Sequence, residues 1–189
     1  MRFALYRRRR ELPIQTEFPL LEGFSPDWWH VRWTSIKPPG QHIDFRSLFS
    51  WLLHVSGRRP KAFSVLSVRD AQGKVAHVSM LFPAVWFRSD FMGENDLEIS
   101  RVFTAPGSRG LGLAKYGVQE CLRYASSVGG WCWYVVLPDN EASIRVAAAN
   151  EFVRFGVADK RTFLGSERLG KFVSKHLKGS AHGLGHFGS

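Results

Sequence analysis

The residues best placed to do chemistry lie in LEISRVFTAPGSRGLGLAKYGVQECL, positions 97–122. A strand-like run ends at Thr104, Pro106-Gly107-Ser108 turns the chain, and Arg109-Gly110-Leu111-Gly112-Leu113-Ala114 leads straight into an amphipathic helix. A glycine-bearing turn at a helix start presents successive backbone N–H groups together with the positive end of the helix dipole, which is a receptor for phosphate. Gly112 and the small Ala114 allow a diphosphate to approach the backbone closely. Two other phosphate loops are excluded. Gly107 and Gly112 have the separation of a GxxxxGK[ST] loop, but Leu113 stands where lysine is required. Gly110 and Gly112 begin a dinucleotide fingerprint, but Lys115 stands where its third small residue belongs.

The surrounding elements must hold that turn in place. Phe3–Tyr6 reads as a short strand ended by Arg7–Arg10, and a short helix is expected around Pro26–Trp33. Asp44 caps a predicted helix with Phe45, Leu48, Phe49, Leu52 and Leu53 at helical spacing. Ala62–Arg69 and Val75–Phe82 read as a hairpin joined by Asp70-Ala71-Gln72-Gly73-Lys74. Then come a strand at Leu97–Thr104, a helix at Gly112–Ser127, a strand at Trp131–Leu137 and a helix at Glu141–Glu151. Two further strands are expected at Phe152–Ala158 and Arg161–Ser166. The order is that of a mixed α/β domain over residues 1–170, followed by a flexible Gly/Ser/His-rich tail, 171–189.

Composition narrows the partners. Apolar residues make up 44% of the 189, including 15 Phe and 7 Trp, enough to build a core without metal or disulfide. Lys and Arg number 26 against 16 acids, a net +10, which favours anionic partners: a phosphorylated cofactor, a nucleotide-linked substrate, nucleic acid or an acidic membrane. Arg7–Arg10 is the one basic run, expected as a solvated edge. Cys121 and Cys132 lack metal-ligand spacing and read as reduced core residues of a cytoplasmic protein. His176, His182 and His186 are spaced too irregularly for a metal site. No signal peptide or membrane span is apparent, so any membrane contact is expected to be peripheral.

Arg109-Gly110-Leu111-Gly112-Leu113-Ala114, with Pro106 three residues upstream, resembles the [RQ]xxGx[GA] acyl-CoA loop of the GNAT superfamily of N-acetyltransferases. Downstream, LPDNEASIRVAAANEF resembles its second signature, with Asn140, Ser143 and Phe152 at the matching positions. The resemblance covers roughly Ala62 to Ser166 by element order. It implies a central twisted, mostly antiparallel sheet flanked by helices, with a V-shaped splay between the fourth and fifth strands. It also implies acetyl-CoA, or another acyl-CoA, as cofactor. The backbone of Arg109, Gly110, Leu111, Gly112, Leu113 and Ala114 would take the diphosphate, and the backbones of Phe103 and Thr104 would pair with the pantetheine. Asn140, with Ser143 in the same signature, is the further cofactor contact.

For chemistry, Glu98 looks like the family's general base, its plainer reading being an ion pair with Arg88 or Arg101. His77 is the fallback base. The family's usual acid, a tyrosine seven residues after the signature Asn, is replaced by Ala147, and its glycine before Phe152 by Glu151. Tyr134 is the candidate substitute acid, with Tyr116 behind it; both also read as core aromatics. The implied reaction moves an acyl group from CoA to a primary amine. Similarity to proteins encoded with bacterial surface-polysaccharide enzymes points to an amino sugar, free or nucleotide-linked. The alternatives are a peptide or protein N-acetyltransferase, a CoA-binding module without turnover, and a basic nucleic-acid-binding protein.

Overall fold

The computed structural model describes residues 1–30, 63–83, 89–126, 130–163 and 166–175. They form one eight-stranded sheet. Its strands are β1 (Arg2–Arg9), β2 (Ser25–His30), β3 (Ser64–Arg69), β4 (Val75–Pro83), β5 (Leu97–Thr104), β6 (Trp131–Val136), β7 (Val153–Phe163) and β8 (Ser166–Lys175). The spatial order is β2-β3-β4-β5-β6-β1-β7-β8, antiparallel throughout except for the parallel pair β5–β6. Helix α1 (Leu113–Ala125) lies over β3, β4 and β5, and α2 (Glu141–Ala149) packs beside it on the same face, against β6. The helix expected at 45–53 lies outside the described residues.

The main core sits between this helical face and the sheet. Leu81, Ile99, Cys132 and Tyr134 from the strands meet Val118, Cys121, Leu122 and Val146 from the helices. On the far face, Phe63, Val65, Met80 and Phe82 form one cluster, and Leu5, Trp133, Ala158 and Phe172 another. Period-two alternation is what sends Leu5 to one side and Ala4 and Tyr6 to the other.

Three expectations need correction. The arginine run does not end the first strand, and half of it is not solvated: Arg8 and Arg10 are buried. Arg8 donates to the carbonyls of Leu12 and Pro13 and to Glu151, and Arg10 to the carbonyls of Ala125 and Asn95. Carbonyl acceptors within 3.2 Å replace water around these buried guanidinium groups, with Arg8 Nε left as a donor without a partner among the described residues. Of the helix expected around Pro26–Trp33, the described part, up to His30, forms a strand instead. Ser25–His30 pairs with β3, and the wide Trp28 ring stacks on Tyr124 of α1, so tertiary packing decides the conformation. Finally, the two strands expected at Phe152–Ala158 and Arg161–Ser166 are a single strand, β7, which runs on to Phe163, and a further strand, β8, follows from Ser166 through Lys175. The expected tail boundary at residue 171 therefore falls inside a strand.

β1 has the least predictable position. Although it comes first in the chain, it is inserted between β6 and β7, with Tyr6 opposite both Tyr134 and Arg154. From Arg10 the chain then runs back across α1, where Phe18, Leu20 and Phe24 pack near Leu113 and Tyr116. Gln119 anchors the crossing, accepting from Phe18 N–H and donating to the Thr16 carbonyl.

Candidate active site

The site begins with a fork. β5 and β6 pair only over Leu97–Ile99 and Cys132–Tyr134, after which they part. The cause lies in β5. Between the pairs Met80↔Ser100 and Val78↔Phe103 this strand carries one residue more than β4, and Arg101 there adopts φ 51°. Such a bulge bends its strand and increases the local twist. It turns Val102–Thr104 away from β6 and leaves their backbone edge on that side without a strand partner, while β6 goes on pairing with β1. These strands are the fourth and fifth of the sequence reading, so the expected splay is present.

At the mouth of the fork the chain makes a 3-10 turn, Pro106–Ser108, and then passes through Gly110 at φ 80° and Gly112 at φ 75°. Both angles are costly for any residue with a Cβ. Gly112 is the N-cap of α1, no side chain caps this end, and its first turn holds no acid. The opening N–H groups of α1 therefore keep their donors and their share of the dipole for a ligand.

An open cleft of about 850 Å³ joins these parts. Phe103, Thr104, Arg109, Gly110, Gly112, Leu113, Ala114, Tyr134, Asn140 and Ser143 all line it, so most of the expected site residues are brought together. Leu111 is not among the lining residues and is exposed. The sequence reading missed Lys115 and Arg145, which with Arg109 make three cations in a lining without an acid. Arg145 also pairs with Glu141 one turn earlier at 3.2 Å, and that (i, i+4) spacing was the available signal for it.

Asn140 accepts the Ser143 N–H at 3.0 Å, so its Oδ1 serves as the N-cap of α2 and its amide nitrogen remains a donor. Tyr134 is 3% exposed, and burial raises its pKa while a hydrogen bond with Ser143 works in the opposite direction. Ala147 is buried in α2, where no side chain replaces the phenol. Tyr116 is likewise raised by burial and packs with Leu113 and Val68 in the core, outside the cleft.

Glu98 lies elsewhere. It pairs across the sheet with Phe82 and Trp133, which places it on the far face, buried, one residue before the last β5–β6 pair. It does not line the cleft. Arg88, one of its suggested partners, lies outside the described residues. His77 is no fallback base. It is fully buried on the helical face, Nδ1 2.9 Å from Thr104 Oγ1 and Nε2 2.8 Å from Ser79 Oγ, and desolvation lowers its pKa to about 4. It is a neutral ring that ties β4 to the end of β5. Room for it exists because α1 carries Gly117: a Cβ there would stand 2.3 Å from His77 Nε2. Burial also pushes the Cys132 thiol up to about 12, and Cys121 higher than usual, so both cysteines are unreactive core residues.

A forked sheet whose open edge meets an uncapped, cation-lined helix start defines a nucleotide-cofactor-binding α/β domain built for an extended, phosphate-bearing ligand. The model of the GNAT acetyltransferase family matches residues 25–152, and the chain belongs to that family, whose members use acetyl-CoA or another acyl-CoA. Among solved structures it is similar to the tandem GNAT protein from the clavulanic acid biosynthesis pathway, with a TM-score of 0.53 and 15% identity over 81% of this chain and 50% of that one. It is also similar to a GCN5-related N-acetyltransferase from Sphaerobacter thermophilus, with a TM-score of 0.53 and 13% identity over 82% of this chain and 49% of that one. At these identities the likeness establishes the fold. The chain spans about half the length of both structures. No relative is found among curated proteins. Among the described residues no helix is long and apolar enough to cross a membrane, and no cluster of side chains would hold a metal.

Proposed function

We propose that this protein transfers an acyl group from acyl-CoA to the primary amine of a small molecule, an amino sugar in free or nucleotide-linked form. The carrying observation is that one cleft combines the unpaired β5 edge, the uncapped start of α1 and a lining of three cations without an acid. Those features match a long ligand with a peptide-like arm and a diphosphate. When bound, acyl-CoA supplies an activated thioester carbonyl.

The residues divide the work. N–H groups from Gly110 to Lys115 hold the diphosphate, while Arg109, Lys115 and Arg145 add charge. Phe103 and Thr104 offer backbone groups to the amide-bearing arm along the open edge of β5. A free N–H on that edge is suited to polarise a carbonyl placed in the fork. Glu98, at the fork's apex on the far face, takes the proton of the acceptor amine from the side opposite the cleft, through water. Tyr134, raised by burial and hydrogen-bonded with Ser143, protonates the departing thiolate in place of the phenol lost at Ala147. The net charge of +10 favours an acceptor that carries phosphate over an acidic-groove peptide transferase.

The test is release of free thiol from acetyl-CoA on a panel of amino sugars, nucleotide-linked amino sugars and N-terminal peptides. Transfer to a sugar amine is expected, with Glu98→Gln slowing it by roughly 10²–10⁴ while acetyl-CoA still raises the melting temperature. Binding without transfer to any amine would leave a CoA-binding module. Absence of any thermal shift with acetyl-, propionyl- or longer acyl-CoA would sink the reading altogether.

A further inference from the structure

On the far face, away from the CoA cleft, β1 sends two arginines onto one indole. The Arg7 guanidinium carbon lies 4.0 Å from the Trp131 ring centre and 4.1 Å from that of Phe155, and the Arg9 guanidinium carbon is 4.1 Å from Trp131. Alternation explains the pairing. Arg9 faces Trp131 and Arg7 faces Trp133 in the β1–β6 register, so both long side chains rise on the same side as those rings. Rings satisfy the π surface of a guanidinium but accept none of its five N–H groups in the plane. Among the described residues neither the Arg7 nor the Arg9 guanidinium donates a hydrogen bond or forms an ion pair.

Nearby carboxylates are already engaged. Asp96 accepts from the backbone N–H groups of Gly93 and Trp131 and from Trp133 Nε1. Glu11, which is exposed, accepts from the Gly130 N–H. Two like charges thus share one aromatic platform. Burial first, and then Arg9, lower the Arg7 pKa, while Asp96 raises it.

We propose that Arg7, Arg9 and Trp131 form an anion site on the far face, which takes the phosphate or diphosphate ester of a second ligand, distinct from the CoA in the cleft. The planar forks of the two arginines donate to the phosphate oxygens while the half-buried Trp131 and Phe155 rings hold the forks rigid. The ligand is an ester of phosphate or diphosphate, either soluble or a lipid headgroup. The site depends on nothing in the acyl-transfer reading.

The experiment uses the full chain saturated with CoA, so that the glycine turn is already filled. Inorganic pyrophosphate is titrated while tryptophan fluorescence and heat are followed. Saturable binding is expected, weakening as salt rises because the contacts are ionic. Arg7→Gln with Arg9→Gln should weaken it about tenfold or more, as loss of charge-assisted bonds does, and leave the acetyl-CoA thermal shift in place. Should the double variant not fold, Arg9→Gln alone decides, because Arg9 is exposed. Sedimentation with phosphatidylglycerol vesicles against phosphatidylcholine vesicles separates the two sources: anionic vesicles capture the chain through Arg7 and Arg9 if the natural ligand is a headgroup, and fail to if it is soluble. Absence of saturable binding to both pyrophosphate and anionic vesicles, or equal binding by wild type and variants, overturns the proposal. Loss of the acetyl-CoA shift in the wild type would count against acyl transfer and not against this site.

Discussion

Protonating His77 should loosen the protein, and the size and sign of the effect follow from its burial. The ring is fully buried and desolvation depresses its pKa from 6.5 to about 4. Between these values the unfolded chain binds a proton that the folded chain refuses. Stability therefore rises with pH through this window and is lost as pH falls from about 6.5 toward 4. A shift of that extent corresponds to about 3 kcal/mol at most. At roughly 2–4 °C per kcal/mol for a chain of this size, the melting temperature should drop by about 6–12 °C. Carboxylates titrate in the lower part of the same window, so the measurement is a difference: urea unfolding from pH 7 to pH 4 for wild type and for His77→Gln. Gln keeps hydrogen-bonding groups for Thr104 and Ser79 but has no proton to take up, and its profile should be flatter. Gly117→Ala supplies a second perturbation, because the new Cβ would press on His77 at 2.3 Å. An exposed helix would gain up to about 1 kcal/mol from that change, whereas overpacking here should cost about 1–3 kcal/mol. In a His77→Ser background the same substitution should turn neutral or stabilising. Parallel pH profiles for wild type and His77→Gln, or an equal effect of Gly117→Ala in both backgrounds, would refute the account of a neutral ring wedged against the helix.

Other outcomes follow from the same structure. Gly112→Asp should abolish the thermal shift given by acetyl-CoA, since φ 75° disfavours a side chain and the carboxylate would repel the diphosphate. Arg10→Gln should lower stability by about 2–4 kcal/mol in denaturant unfolding, because it strands the carbonyls of Ala125 and Asn95; Arg2→Gln, on an exposed pair with Asp159, should change it by less than about 1 kcal/mol. Glu151 holds φ 60° and pairs with buried Arg8 at 2.9 Å. Glu151→Ala should cost about 2 kcal/mol and Glu151→Gly about 1, since glycine gives up the pair but releases the left-handed strain; equal losses would mean that no strain is stored there.

The glycine turn was legible because its signal is local. Gly110 and Gly112 state their own backbone angles, and Asn140 with Ser143 spells out a helix cap. The helices α1 and α2 and the hairpin β3–β4 follow from periodicity for the same reason. What the sequence hid was set by distant partners. Nothing within Arg7–Arg10 says that Arg8 will meet Glu151, or that Arg10 will meet the end of α1. The stretch around Pro26–Trp33 reads as a helix until Trp28 is given Tyr124 to stack on. Glu98 and Tyr134 were singled out as a pair, yet a sheet lies between them: pairing with Trp133 sends one to the far face, while Tyr134, the next residue, goes to the helical face. Glu151 looked like the simple loss of a glycine, and its compensation lay far away on β1.

The insertion of β1 has a consequence for how the molecule is made. Its neighbours, β6 and β7, are more than a hundred residues later in the chain, so β1 leaves the ribosome well before them and must wait to find its place. At roughly 5–20 residues per second, Phe3, Leu5 and Tyr6 wait on the order of ten seconds or more without the surface they will cover. Closing so long a loop also makes folding slow relative to domains knit from neighbouring contacts. During that interval the half-sheet β2–β5 with α1 already holds the glycine turn and one arm of the fork, but the other arm has no strand to brace it. A ligand that needs both arms would therefore bind only after β1 has returned, which couples completion of the cleft to the synthesis of β6 and β7.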